Sequence, residues 1–197
     1  MTKPAAMTEL EAVNVLLTTI GEQPVNTLTG TQTTDVTIAQ QVLKEVSREV
    51  QSQGWHFNTE QDVELVPDSL NSHITVPVDV ARIDTDLKNV VVRSGKLFDL
   101  NERTYVFDDN LKCDIVYYQD FFDLPDTAKK YIATRAARIY SDRMINSETM
   151  HQMLARDEEA ALVDLKEYEG DTADYSMFDS YSVARVMNRG HKRRIVP

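Results

Sequence analysis

The sequence predicts an α+β protein, a four-helix bundle with an antiparallel β subdomain inserted between helices 2 and 3. Apolar residues recur every three or four positions in two regions, residues 8–53 and 124–169, and this is the period of helices buried on one face. Between them, short β-branched and aromatic runs alternate with turn-forming residues. Two helical pairs that each need a covering surface pack most simply against each other.

The first two helices carry local start and stop signals. Thr8, with Glu11 three residues later, forms a capping box that predicts the start of helix 1. Helix 2 has the clearest apolar stripe in the chain, with Thr34 or Asp35 as its N-cap. Gly54 follows its last turn, where a left-handed backbone conformation is common.

The segment between helices 2 and 3 has the pattern of short strands. We expect its aromatic opening, residues 55–57, to be extended because aromatic side chains favour strands. Ser94-Gly95 and residues 108–110 are predicted to form hairpin turns. The other predicted strands are residues 63–66, 73–76, 90–92, 104–107 and 113–118.

Helices 3 and 4 are predicted from the same period of apolar residues. Asp123 is the expected cap of helix 3, and Gly170 is the expected end of helix 4. The charged cluster at residues 156–159 is predicted to face solvent.

The predicted helices and strands divide the chain into three parts. Residues 8–54 and 123–170 form the helical bundle domain, and residues 55–122 form the inserted β subdomain. Residues 171–197 have no sustained period and form an extended C-terminal docking tail.

The charge is unevenly distributed. The formal net charge is −11 over 197 residues, but the last 15 residues contain five basic residues and no acidic one. A strongly acidic body repels phosphate, so general affinity for DNA or for anionic membranes is disfavoured. No apolar run approaches the roughly 20 residues that a membrane span needs. With a single cysteine, Cys113, the sequence fits a soluble intracellular product without a disulfide framework.

The sequence offers little catalytic chemistry. Its four histidines lie in four different predicted elements, so we expect no metal site, and no glycine-rich phosphate-binding motif predicts a cofactor. Paired carboxylates would suit a glycan hydrolase, and the candidate pairs are Asp108 with Asp109 and Glu158 with Glu159. The side chains of residues adjacent in sequence usually point in different directions, so the two carboxylates of a pair are not expected to converge on one substrate. Both pairs are expected at the solvated surface. The basic tail leaves open a second alternative, that the protein is a small DNA-binding packaging factor.

Four blocks of sequence resemble the tail tubular protein A family of short-tailed bacteriophages. They are IGEQPV at residues 20–25, VQSQGWHFN at 50–58, FDLP at 122–125 and YIATRAAR at 131–138. Their order and the chain length also fit this family, and the resemblance covers most of residues 8–169.

The resemblance implies a structural virion protein with no catalytic residues. Its members are expected to act as head-to-tail adaptors, or gatekeepers, assembled as a dodecamer ring between the portal protein and the tail nozzle, tubular protein B. Tail fibre attachment nearby and DNA ejection through the lumen without specific binding are also implied. The helical domain would contact the portal and neighbouring subunits, and the β subdomain would contact the nozzle.

The C-terminal tail is the predicted docking element for the portal or an adjacent subunit. Its aromatic residues are more apolar than expected for a linker that makes no contacts, and its arginines suit an acidic partner. An alternative is that the aromatic residues fold back onto their own bundle. The expected docking residues are Tyr175, Phe178, Tyr181, Arg185, Arg189, Arg193 and Arg194.

Overall fold

The computed structural model describes residues 5–172. Within this range lie four α-helices: α1 (Glu9–Thr19), α2 (Thr34–Gln51), α3 (Asp126–Met144) and α4 (Glu148–Thr172). The strands in the same range are β1 (Thr59–Leu65), β2 (Val80–Asp84), β3 (Val90–Arg93), β4 (Lys96–Asp99) and β5 (Leu111–Tyr117). All the strands lie between α2 and α3, so the predicted α+β class is confirmed.

Helix α3 is the centre of the helical part and packs against α1, α2 and α4. Ala128, Ile132, Ala136 and Tyr140 follow each other at intervals of four residues, and none of them is exposed to solvent. The Tyr140 hydroxyl also donates a hydrogen bond to the Asp35 carbonyl of α2 at 3.2 Å. A helix surrounded in this way fixes the positions of the other three.

The capping box of α1 is confirmed. The Glu11 amide donates to the Thr8 hydroxyl at 3.2 Å, and the Thr8 amide donates to the Glu11 carboxylate at 2.8 Å. The predicted N-cap of α2 is wrong by one residue, because the hydroxyl that accepts the Val36 amide hydrogen belongs to Thr33.

Two further helix boundaries differ from the prediction. Asp123 does not cap α3; it lies in a separate 3₁₀ turn, Phe121–Asp123, and α3 begins at Asp126. Gly170 does not end α4, which continues to Thr172. A glycine ends a helix when it adopts a left-handed conformation, as Gly54 does with φ of +78°. Gly170 stays outside that region, so nothing interrupts the helix there.

The β part consists of two small antiparallel sheets. One has the order β1-β5-β2, and the other is the β3–β4 hairpin. The predicted turn at Ser94-Gly95 is confirmed, with both residues at positive φ as a tight hairpin turn requires. The hairpin predicted at residues 108–110 is wrong because β5 pairs with β1 and β2, strands that are distant in sequence.

The strand predictions at residues 73–76 and 104–107 are also wrong. These segments form isolated bridges, His73 to Val106, Thr75 to Lys96 and Asp99 to Thr104, and no continuous ladder. Their apolar side chains nevertheless contribute Ile74 and Phe107 to the core beneath the sheets. Burial therefore explains the apolar pattern in these segments, although the pairing does not extend into strands.

The aromatic segment after α2 is a 3₁₀ turn, His56–Asn58, and the predicted strand there is wrong. The buried Asn58 side chain determines this geometry. Its carboxamide oxygen accepts the Trp55 amide hydrogen at 2.9 Å, and its nitrogen donates to the carbonyls of Gln51 (2.9 Å) and Tyr117 (2.8 Å). Three hydrogen bonds from one buried side chain outweigh the strand preference of the aromatic residues.

A glutamine pair, Gln51 and Gln119, also joins the helices to the sheet. The Gln51 carboxamide accepts the Gln119 amide hydrogen at 2.7 Å and donates to the Gln119 carbonyl at 3.1 Å. These two hydrogen bonds connect the end of α2 to the segment that follows β5. Across residues 5–172, no helix has both the length and the apolar character needed to cross a membrane.

We expect Asn58→Ala to lower the free energy of unfolding by about 2–3 kcal/mol, because it leaves the buried Gln51 carbonyl and the partly buried Tyr117 carbonyl and Trp55 amide without their partner. The matched control is Asn101→Ala, which changes an exposed asparagine. Urea denaturation followed by tryptophan fluorescence measures both, since Trp55 adjoins the altered site. Equal stability of the two variants would contradict the assigned role of Asn58.

Candidate functional site

Helix α4 is the least buried of the four helices. Of its 25 residues, Glu158, Ala161 and Leu165 are buried. Half-buried Leu162 also packs against the core. Polar contacts with α3 add to this apolar packing.

The central polar contact is the carboxylate of Glu158. Arg135 donates a hydrogen bond to one of its oxygens at 2.6 Å, and Arg138 donates a very short one to the other. Arg135 also reaches Glu49 of α2 at 2.6 Å. The Glu158 side chain is only 12% exposed, so the contact between α3 and α4 is largely shielded from water, whereas Glu49 on the α2 side is 51% exposed.

The Glu158 cluster is charged at neutral pH. Burial alone would raise the pKa of Glu158, but hydrogen bonds and charge from Arg138 and Arg135 outweigh it and lower the pKa below the ordinary glutamate value. The prediction that residues 156–159 all face solvent is thus wrong for Glu158, whose partners lie on another helix. Its neighbour Glu159 does face solvent.

Further ion pairs run along α3, which carries five basic residues. Lys130 pairs with Asp164 of α4 at 2.6 Å, and Arg143 binds both carboxylate oxygens of Glu45 of α2 at 2.9 Å. Lys129 is buried and donates to the Phe122 carbonyl at 2.7 Å. The basic residues of α3 are therefore all engaged within the chain.

Neither candidate carboxylate pair has the environment of a glycan hydrolase. Such an enzyme needs one acid whose pKa is raised, whereas the pKa of Glu158 is lowered and its carboxylate is bound by two arginines. Asp108 and Asp109 are both exposed in the turn before β5. In the described part of the chain, the acidic, histidine and cysteine side chains form no group able to hold a metal ion.

Cys113 has the environment expected of an inert thiol. It lies in β5, buried in the core beneath the sheets. Burial raises its pKa to about 11, so the thiol stays protonated at neutral pH.

A cleft with a volume of about 350 Å³ lies where α1, α2 and the chain after β5 meet. Its charged lining residues are two basic ones, Lys44 and Arg48, and two acidic ones, Glu9 and Asp120. Its lining includes Lys44, Ser47 and Arg48 of α2, together with Tyr118 and Phe121. A cleft with this mixed lining suits a protein surface better than a small-molecule substrate.

An exposed aromatic residue follows the cleft in sequence. Phe122 is 84% exposed, although its carbonyl is held by Lys129 and the lysine ammonium lies 5.6 Å from its ring centre. Sequence reasoning missed both this residue and the Glu158 cluster. The signal available for the cluster was the pair Arg135 and Arg138 among the alanines and isoleucines in the middle of α3.

The predicted docking residues of the tail lie outside the described residues. Tyr175, Phe178, Tyr181, Arg185, Arg189, Arg193 and Arg194 all follow Thr172. Their role stays a prediction.

Comparison with known proteins agrees with the resemblance seen in the sequence. The family model described as tail tubular protein matches residues 10–175. The chain belongs to the tail tubular protein family. A curated relative, tail tubular protein A of Klebsiella phage KP34, is 34% identical over 138 residues, which cover 68% of this chain and 72% of the relative. As a tail tubular protein, the chain is a structural component of a phage tail and assembles with other tail proteins.

The match to the tail tubular family includes all the helices described above. Its range begins in α1 and ends three residues after α4, so both the Glu158 cluster and the cleft lie inside the matched region. The candidate functional site of this family member therefore consists of the cleft and a helical body braced by ion pairs.

We expect Glu158→Gln to lower the free energy of unfolding at pH 7 by about 2–3 kcal/mol, because it leaves two partly buried arginines without their shared carboxylate. Glu159→Gln is the matched control. Chemical denaturation at several pH values measures the difference between the two variants.

The same comparison has a defined pH dependence. A carboxylate whose pKa is lowered on folding contributes its full stabilisation above the ordinary value of about 4.5. This contribution is lost as the pH falls through the lowered pKa. The difference between the wild type and Glu158→Gln should therefore shrink in acid, and a difference that grows below pH 4.5 would contradict the assignment.

Proposed function

We propose that copies of this chain form an adaptor ring, or gatekeeper, between the portal protein and the tail nozzle, around the channel for DNA ejection. The observation that carries the proposal is the family match across residues 10–175. The internally braced helical body supports it, because a ring under load from packaged DNA needs subunits that keep their shape. A dodecamer is the proposed assembly.

The parts of the chain have different proposed roles. The helical bundle domain, residues 8–54 and 123–170, contacts the portal and neighbouring subunits, and the β subdomain, residues 55–122, contacts the nozzle, tubular protein B. Tail fibres attach near the junction of adaptor and nozzle. Residues 171–197 form the docking tail. The glutamine pair and Asn58 support this division of roles, because they hold the helical and β parts in one orientation.

The charge distribution supports passage of DNA without binding. Residues 5–172 contain 30 acidic and 15 basic residues. The basic residues of α3 are engaged by carboxylates or by a backbone carbonyl within the chain. A lumen lined by the remaining acidic surface would offer phosphate groups few cations to bind. The proposal requires a lumen of net negative charge.

No observation favours a glycan hydrolase or a DNA-binding packaging factor over the adaptor. The carboxylates proposed for hydrolysis are either neutralised by arginine or exposed in a turn. The DNA-binding alternative relies on the five basic residues after Val183, and these are attached to a strongly acidic body.

Native mass spectrometry of the purified chain mixed with portal protein tests the proposal. We expect a complex that contains twelve copies of this chain per portal ring, and negative-stain images should show a ring coaxial with the portal. A chain that stays monomeric at high concentration and does not bind the portal would contradict the adaptor function.

We expect Arg185, Arg189, Arg193 and Arg194 changed together to glutamate to weaken portal binding by at least tenfold, because docking of this tail relies on positive charge. The matched control changes the same four residues to lysine, which keeps the charge and should retain most of the affinity. Interferometry on immobilised portal measures both. Unchanged binding by the glutamate variant would remove the tail from the docking proposal.

A further inference from the structure

The C-terminal end of α4 and the cleft beside α2 both contact the same short turn. Glu169, near the end of α4, accepts the His56 amide hydrogen at 2.7 Å. The side chain of Gln119, which lines the cleft, donates to the Phe57 carbonyl at 2.9 Å. Because His56 and Phe57 are adjacent, the Glu169 carboxylate and the Gln119 carboxamide lie within roughly 12 Å of each other. The chain beyond Thr172 therefore leaves the described body close to the cleft.

The chain after Thr172 is long enough to reach this cleft and to continue past it. About 4.5 Å of helix separates Glu169 from Thr172, so the near end of the cleft lies within roughly 20 Å of Thr172. An extended chain covers about 3.3 Å per residue, so about six residues bridge this distance. Residues 178–181 are therefore the segment that arrives at the cleft, and the residues after them remain available for other contacts.

The segment that reaches the cleft belongs to the aromatic half of the tail, residues 173–184. The cleft offers two aromatic side chains, Tyr118 and Phe121, as partners. Aromatic rings bury a large apolar area and pack against each other in stacked or edge-to-face geometry, so an aromatic segment suits this lining. The aromatic side chains of this half are Tyr175, Phe178 and Tyr181.

The charges of the cleft do not favour the basic half of the tail, residues 185–197. Lys44 and Arg48 are balanced by Glu9 and Asp120 among the lining residues. A lining with balanced charge exerts no net attraction on an arginine-rich segment. The aromatic half contains no basic residue, so it fits a cleft that selects its occupant by apolar contact. The basic half then stays available for an acidic partner.

An occupant attached to the same chain has an advantage over a separate molecule. Its effective concentration at the cleft is set by the short connection to α4 and is on the order of millimolar. A few aromatic contacts are enough to hold a segment at that concentration. A second copy of the chain, or a different protein, would have to reach a similar concentration in solution. The connection therefore favours the chain's own tail as the occupant.

We propose that residues 175–181 of each chain occupy the cleft beside α2 of the same chain, with Tyr181 nearest Lys44. The sequence left open whether the aromatic residues fold back onto their own bundle, and the place where α4 ends favours that arrangement. The anchored segment fixes the point from which the basic half leaves the body, so less conformational freedom is lost when the basic half docks. That consequence rests on the proposed function, whereas the anchor itself does not.

Disulfide capture in the full chain tests the anchor. The test pair is Lys44→Cys with Ser180→Cys, and the native Cys113 is buried and does not compete. The matched control pair is Gln53→Cys with Ser180→Cys. Gln53 is exposed and lies three residues before His56, outside the cleft. A tail that moves freely reaches Gln53 at least as easily as Lys44, which lies two helical turns farther along α2.

Under oxidation by copper phenanthroline, we expect the test pair to form a disulfide at least tenfold faster than the control pair. The rate should not depend on protein concentration, because both cysteines lie in one chain. Adding Tyr175→Ser with Phe178→Ser to the test pair should slow the reaction at least tenfold, since the rings that hold the segment are lost. Adding Ser176→Ala with Ser182→Ala instead should leave the rate unchanged. Circular dichroism melting checks that each variant is folded.

The other outcomes overturn the anchor or separate it from the adaptor function. Equal rates for the two cysteine pairs, or a test-pair rate that the serine changes do not alter, overturn the anchor. A disulfide between two chains, at a rate that rises with concentration, assigns the cleft to another copy and also overturns it. Portal binding by the same variants is measured separately. A chain that forms the expected disulfide without binding the portal keeps the anchor and contradicts the adaptor function. A chain that binds the portal without the expected disulfide loses the anchor alone.

Discussion

The position of α4 on the helical part is made specific by one carboxylate shared by two arginines. Ala161, Leu165 and half-buried Leu162 supply its apolar contacts, and Glu158 adds a directed attachment to α3. Through Arg135 the same cluster includes Glu49 of α2. A buried ion pair gives limited net stabilisation, but losing one partner is costly, so the arrangement favours a single position of α4. The orientation of the exposed face of α4 follows from that position.

A second constraint joins the helical and β parts. Asn58 and the glutamine pair bind backbone groups of α2 and of the chain around β5, and Glu169 near the end of α4 accepts the His56 amide hydrogen at 2.7 Å. Polar side chains that bind backbone groups of distant segments fix orientation more specifically than apolar contacts, whose energy depends little on direction. The proposed adaptor function, with a different partner at each end, requires this fixed orientation.

The helices could be predicted from sequence, whereas much of the sheet could not. Helical period and capping are local, and the capping box at Thr8 was accordingly correct. Strand β2 was missed, and the hairpin at residues 108–110 was misplaced, because β5 pairs with segments about 30 and 50 residues away. The aromatic turn at Trp55 was misread as a strand because its geometry depends on hydrogen bonds from Asn58 to Gln51 and Tyr117.

The candidate site was harder to predict for the same reason. Charges on an amphipathic helix normally face solvent, so Glu158 could not be distinguished from Glu159 without knowing where Arg135 and Arg138 lie. The cleft is assembled from α1, α2 and the segment after β5, and no local motif marks it. The family resemblance, in contrast, was visible in short sequence blocks, and the match to residues 10–175 confirms it.

The central claim is that this acidic, internally braced subunit forms a ring at the junction of portal and nozzle. An electron cryomicroscopy reconstruction of the intact tail tests it most directly. The account predicts a closed ring of this chain between portal and nozzle, with carboxylates lining the channel. A subunit found outside the channel axis, or a ring lined by lysine and arginine, would contradict the account.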